Sequence, residues 1–136
     1  MKTRFAVAIA VLTLVAASCG TGDEGTGDDT QVIDITLSSY EISPASATMT
    51  SGEPVVVNVE NLSARTHTWT LLAAGTQWAS TDDMDPEQIL VTTSELGLNG
   101  TETLQFTAPE PGTYQVVCTV HGHIRLGMVA ELVVES

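Results

Sequence analysis

The sequence predicts an all-β fold, a β-sandwich, over residues 32–136. Three observations lead there. Short runs alternate apolar and polar residues and are rich in Val, Ile and Thr; Pro, Gly and Asn punctuate them; and from Val32 onward the pattern is that of strands rather than helices.

Taken in order, VIDITL (32–37) alternates as a half-buried strand does. Pro44 and the Ser51-Gly52-Glu53-Pro54 cluster read as turns. VVVNVENL (55–62) alternates again and is β-branched, and HTWTLLA (67–73) is a further strand candidate. TETLQFTA (101–108) sets Leu104 and Phe106 on one face, and Asn99-Gly100 ahead of it is a hairpin-type turn signal. TYQVVCTV (113–120) and AELVVE (130–135) complete the set. Residues 82–96 depart from the pattern. Acidic residues ahead of Pro86-Glu87-Gln88 resemble a helix start, predicting a short helix or irregular excursion near 86–91. Trp69, Trp78 and Tyr114 are expected as core or rim aromatics without a redox role. The Asn61-Leu-Ser and Asn99-Gly-Thr triplets match the glycosylation pattern and are read as chance matches.

Residues 1–18 have the layout of a secretory signal: Lys2 and Arg4, an apolar run from Phe5 to Ala17, then small residues. The run is short for a membrane span, which needs ~20 apolar residues. Ala16-Ala17-Ser18-Cys19 resembles the lipobox of bacterial lipoproteins, with Ala16 where Leu is usual. The expectation is a lipidated Cys19 and a chain exported and anchored to the cell membrane, facing the periplasm or the exterior. The alternative is an ordinary secretory signal in which Cys19 is incidental. Residues 19–31 then form a tether: GTGDEGTGDDTQ has no large apolar side chain and reads as an extended, self-repelling linker.

Removal of the signal leaves Arg65 and Arg125 against 17 acidic residues, a balance of −15 with histidine neutral. Nucleic-acid binding needs a basic footprint that this chain lacks. An acidic surface favours a partner with a basic docking patch, and equally suits plain solubility.

Two cysteines occur, Cys19 and Cys118, so lipidation of the first leaves the second unpaired in an exported protein. YQVVCTVHGHIRLGM (114–128) explains it. Cys118, His121, His123 and Met128 fall within eleven residues, on a loop between two strand candidates. A thiolate, an imidazole and a thioether aimed at one point make a soft site that suits copper over magnesium or calcium. The remaining histidine, His67, stands after the turn-like residues 61–66 and supplies a third strong donor. Two His, one Cys and a weak Met form the blue-copper ligand set.

On these residues the region 32–136 resembles the plastocyanin- and azurin-like cupredoxins, with a loop spacing similar to auracyanin- and sulfocyanin-like members. The matching positions are Pro111, Gly112, Tyr114, Cys118, His123, Gly127 and Met128, with VVVNVENLSARTHTW (55–69) placing the first ligand at His67. The resemblance implies a Greek-key sandwich and one type 1 copper held by His67, Cys118, His123 and Met128. Its function would be that of a monomeric carrier of single electrons between redox proteins such as a cytochrome or an oxidase. It also implies that His123 is the electron gateway, ringed by Val120, Ile124 and Leu126.

His123 satisfies both loop spacings, four and four. His121 matches the plastocyanin spacing from the cysteine and stands as the alternative ligand or as a neighbour of the metal. Two positions depart from the family: His121 where Pro is frequent, and Thr68 where an Asn helps pin the ligand loops. An enzyme of this fold would need further histidines for a second copper, and Thr119 follows Cys118 where such enzymes commonly carry His. Copper binding without electron transfer, as in a chaperone or scavenger, is the competing function, and zinc on the same Cys and His donors is a third reading.

Overall fold

The computed structural model describes residues 29–136, and the expectations for the signal (1–18), Cys19 and the tether to residue 28 lie outside them. Among the described residues nine strands form two mixed sheets. They are β1 (Gln31–Ser38), β2 (Glu41–Ser43), β3 (Ser46–Thr50), β4 (Pro54–Asn61), β5 (Thr70–Leu72), β6 (Ile89–Thr92), β7 (Thr101–Thr107), β8 (Gly112–Val117) and β9 (Val129–Glu135). The first sheet runs β2-β1-β4-β7 and the second β3-β9-β8-β5-β6. The β1–β4 and β3–β9 pairs are parallel and the others antiparallel. The sandwich follows from the alternation read in the sequence. Ile35 and Leu37 of β1, Val55, Val57 and Val59 of β4, Leu104 of β7, and Leu132 and Val134 of β9 all face inward.

The structure refines several expectations. β1 starts at Gln31, inside the expected tether, because the Gln31 amide both accepts from the Thr50 N–H (2.6 Å) and donates to the Thr50 carbonyl (3.1 Å). The expected helix near 86–91 is a single 3₁₀ turn, Pro86–Gln88, capped by the Asp85 side chain. A second such turn, Thr81–Asp83, precedes it. The chain then becomes strand β6, since Ile89, Val91 and Thr92 pair with the open edge of β5. The Asn99-Gly100 turn joins no hairpin, because β6 and β7 belong to different sheets. It docks instead on the end of β4: Asn99 N–H donates to the Asn61 carbonyl (2.7 Å) and Asn61 N–H to the Gly100 carbonyl (2.9 Å).

The second sheet is covered on both faces over part of its area. Val116 and Leu71 face the main core, while Val117 and Leu72 face a smaller cluster with Trp78 and Ile124. That cluster lies under the excursion between β5 and β6. Trp78 anchors the excursion: its N–H and carbonyl pair with the Gln115 amide (2.7 and 3.1 Å), and its indole N–H donates to Gln88 (2.8 Å). Trp69 and Tyr114 are core residues, and the Tyr114 hydroxyl donates to the Glu110 carbonyl (2.6 Å). Trp69 fills the main core just before β5, so Trp69→Ala is expected to cost about 3–5 kcal/mol, measurable as a fall in the urea midpoint of the metal-free protein.

Candidate metal centre

Strand register assembles the centre at one end of the sandwich. β8 ends at Val117 and β9 begins at Val129, and these two residues pair. The eleven-residue loop between them therefore leaves and re-enters at neighbouring points, and Cys118 N–H closes its neck on the Met128 carbonyl (3.2 Å). β5 pairs antiparallel with β8, Thr70 opposite Val117, so the residues before β5 lie beside those after β8. That brings His67 to Cys118 from 51 positions away.

Within the loop, His123 N–H donates to the Val120 carbonyl, and the His123 carbonyl accepts from both Leu126 and Met128. Gly122 (φ +83°) and Gly127 (φ +90°) bracket this turn in left-handed conformations. A Cβ would meet nothing within 4 Å at either glycine. The backbone angle, not crowding, calls for glycine there.

The donor atoms form a tight triangle. His67 Nδ1 and His123 Nδ1 are 3.1 Å apart, and Cys118 Sγ lies 3.8 and 3.5 Å from them. A point equidistant from all three sits about 2.0 Å from each, close to the length of a first-row metal's bonds to imidazole nitrogen and thiolate sulfur. His67, Cys118 and Met128 are fully buried, whereas His123 keeps 7% of its surface exposed. His67 Nε2 is buried with no hydrogen-bond partner among the described residues. Three metal-binding side chains converging in a dry site fit a bound cation better than a packed core. The soft Cys and imidazole donors select copper or zinc over hard cations.

Electrostatics keeps the imidazoles ready to ligate. Burial lowers the pKa of His67 below its ordinary 6.5, and the neighbouring His123 and then Arg65 lower it further. Burial and then Arg65 lower that of His123. Both rings thus hold free lone pairs at pH values where an exposed histidine is already protonated.

The structure brings His67, Cys118 and His123 together and leaves His121 outside. His121 is exposed, and its Nδ1 lies 3.2 Å from the Thr81 hydroxyl. Of the residues expected to ring His123, Leu126 is 58% exposed and Val120 half-buried, but Ile124 turns into the smaller core cluster. Thr68, at the position where the family often has Asn, makes its own clamp. Its hydroxyl accepts from the Thr119 N–H (2.8 Å) and meets the Thr119 hydroxyl (2.9 Å), while its N–H donates to Cys118 Sγ (3.4 Å).

Two features of the centre take their role only from the folded contacts. The Asn61 side chain is fully buried. It donates to the Arg65 and Leu96 carbonyls (2.8 and 2.6 Å) and accepts from Ser63 N–H (2.9 Å), moulding the loop into His67. Its engaged amide rules out glycosylation of the folded chain at this site. The second feature is the set of Leu62 and Leu98, 52% and 58% exposed on the loops flanking the His67–Leu96 bridge. An exposed Leu next to a strand end carries no signal in one sequence.

A family model described as a cupredoxin-like domain matches residues 5–130. Auracyanin-A of Chloroflexus aurantiacus is 30% identical, over 93% of this chain and 94% of its own length. Among solved structures, dithionite-reduced auracyanin from the photosynthetic bacterium Roseiflexus castenholzii is 26% identical with a TM-score of 0.70, covering 78% of this chain and 98% of that one. Auracyanin A from Chloroflexus aurantiacus, described as a "blue" copper protein, is 28% identical at 0.69, covering 78% and 99%. Rusticyanin from Thiobacillus ferrooxidans, 18% identical at 0.59 over 81% and 84%, shares the fold.

The metal-free protein should show two effects of this geometry. Asn61→Ala removes three hydrogen bonds to the loop backbone, at Arg65, Leu96 and Ser63, and should cost about 2–4 kcal/mol, read by chemical denaturation. Both histidines have folded-state pKa values below their unfolded value, so the unfolded chain binds more protons in the window between them. Thermal stability should therefore be full above pH 6.5 and fall as pH drops below it, as calorimetry from pH 8 to 5 would register.

Proposed function

The chain belongs to the cupredoxin-like family, and on that premise we propose that it carries single electrons on one type 1 copper held by His67, Cys118, His123 and Met128, outside a cell membrane. The observation that carries the ligand assignment is the donor triangle, closed at 3.1, 3.5 and 3.8 Å by residues from two separate loops. Copper in such a site supplies a one-electron couple.

The protein's part is to hold the donors still. His67 and His123 fix two corners through a hydrogen-bonded loop and a bridged strand end. Cys118 is fixed by the β8–β9 neck, and the Thr68 N–H directed at its sulfur stabilises negative charge there. Met128, buried beside the neck, is the weak axial ligand in this reading. A centre so constrained changes little between oxidation states, and little reorganisation means a low barrier to electron transfer. Cupredoxins are in general carriers rather than enzymes, and the same is proposed here.

Burial supports a carrier over a chaperone. His67, Cys118 and Met128 are closed to solvent, whereas a metal-delivery site needs an incoming ligand to reach the ion. His123 touches the surface beside Leu126, so electrons enter and leave there in this reading. The apolar loop ends at Leu62, Leu98 and Leu126 would meet the partner, and the acidic body would steer a basic redox protein to it. β1 starts at Gln31, beside Val55, at the end of β4 opposite Asn61 and the metal loops. A tether lipidated at Cys19 would then join the domain at the pole away from the copper, leaving the metal end free for a partner. We propose that the domain acts as a monomer.

Loading the purified chain with Cu(II) tests the reading. The expected result is one copper per chain, an intense blue thiolate-to-copper band, narrow copper hyperfine splitting and reversible voltammetry. Colourless or freely exchanging metal would turn the assignment to zinc binding or chaperoning. His123→Ala should abolish the blue band and His121→Ala should leave it, and the reverse result would overturn the ligand assignment.

A further inference from the structure

Tyr40 occupies a position that its residue type disfavours. It ends the two-residue turn between β1 and β2 with φ +63°, a left-handed conformation that is an outlier for a bulky side chain. Its ring makes use of that angle. It stands edge-on to His123 (centroids 5.0 Å, interplanar 90°) and to His67 (6.3 Å, 78°), covering both imidazoles from the side of the first sheet. Arg65 lies over the same ring, its Cζ 5.5 Å from the centroid.

The Arg65 backbone is pinned as well. Its carbonyl accepts from the Asn61 side chain and its N–H donates to the Ser63 hydroxyl (3.1 Å). Among the described residues the one ion pair joins Arg125 to Asp82, so no carboxylate neutralises Arg65. A positive charge with no ion-pair partner among the described residues thus lies one ring away from the two imidazoles, in a strongly acidic chain.

We propose that Arg65, seated on the Tyr40 ring above the two histidines, is a positioning residue that sets the reduction potential of the centre by favouring the less positive, reduced form. The inference rests on the copper reading above. The redox step adds one electron to Cu(II) to give Cu(I), with no bond made or broken in the protein and no proton moved. A positive charge nearby makes that step easier by simple Coulomb repulsion of the oxidised ion.

The test compares full-length, copper-loaded wild type with Arg65→Gln, Arg65→Lys, Tyr40→Phe and Tyr40→Leu by voltammetry at low and high salt. Arg65→Gln is expected to keep the blue band and shift the reduced-to-oxidised ratio at fixed potential about three- to tenfold toward oxidised copper; tenfold corresponds to about 59 mV for one electron. Arg65→Lys and Tyr40→Phe should stay near wild type, while Tyr40→Leu should move toward Arg65→Gln because the guanidinium loses its seat. The Arg65→Gln shift should shrink as salt screens an exposed charge. In the copper-free protein, NMR should show the Tyr40 ring-current shift on the His123 ring protons retained in Arg65→Gln and lost in Tyr40→Leu, separating charge from packing. A blue Arg65→Gln protein with wild-type potential, or a shift undiminished in about 1 M salt, overturns the inference alone. No blue band in the wild type overturns the copper reading with it.

Discussion

The metal end depends on one seam between two chain segments. Thr68, before β5, and Thr119, after β8, meet through a backbone N–H to hydroxyl bond of 2.8 Å and a hydroxyl pair of 2.9 Å. A hydroxyl has a single proton, so the partners must share the work. If the Thr68 proton turns to Cys118 Sγ, 3.9 Å away, Thr119 donates to Thr68. In either state the seam holds the strand end carrying His67 against the loop carrying Cys118. Without it, two donors 51 residues apart in sequence would have only the short β5–β8 pairing and the Thr68 N–H on Cys118 Sγ to align them.

The rest of the sandwich makes that seam stiff. β5 is three residues long and its three side chains are all buried, because β8 and β6 flank it and both faces are covered. Leu71 belongs to the main core and Leu72 to the smaller cluster that also takes in Ile124 from the ligand loop. The loop bearing His123 is thereby packed from beneath as well as hydrogen-bonded across its neck. The turn at Thr81–Asp83 braces its outer side, with Asp82 paired to Arg125 at 2.6 Å and Thr81 beside His121. The surface ion pair contributes little energy in water, but it ties two loops that no strand joins. Rigidity at the centre comes from several weak ties acting on one short loop.

Much of this was legible in the sequence, for physical reasons that differ by element. β1, β4, β7 and β9 each bury one face, so their alternation survives as a readable period. β2 and β3 are too short or too polar to show one. β6 misled because Asp85-Pro86-Glu87 does start a helical turn, and only the open edge of β5, far upstream in the chain, draws residues 89–92 into a strand. The strand predicted from residue 67 begins at Thr70: His67 keeps only an isolated bridge to Leu96, and the Thr68 N–H turns to Cys118 Sγ instead of a neighbouring strand. The clustering of Cys118, His123 and Met128 was visible because one loop carries all three. Tyr40 was invisible, since its meaning comes from residues more than twenty positions away.

Charge distribution explains how an acidic chain can still present a distinct metal end. Both cations of the described domain lie near the centre: Arg125 within the ligand loop and Arg65 in the loop leading to His67. Their situations differ. Arg125 is spent on Asp82, so its charge is cancelled at the surface while its side chain braces the loop. Arg65 is held by an aromatic face, which neutralises nothing, and its charge remains available to the imidazoles beneath. The same residue type thus serves two ends: cohesion where a carboxylate meets it, and an electrostatic field where a ring does. Among charged side chains the rest of the described body carries only acidic ones, while the Arg65 charge acts close to the histidines. A charge held within a ring's reach of the ligands acts over a shorter length than the acidic body as a whole, and in the proposal above that difference in range is what lets one arginine tune the centre without changing the character of the surface.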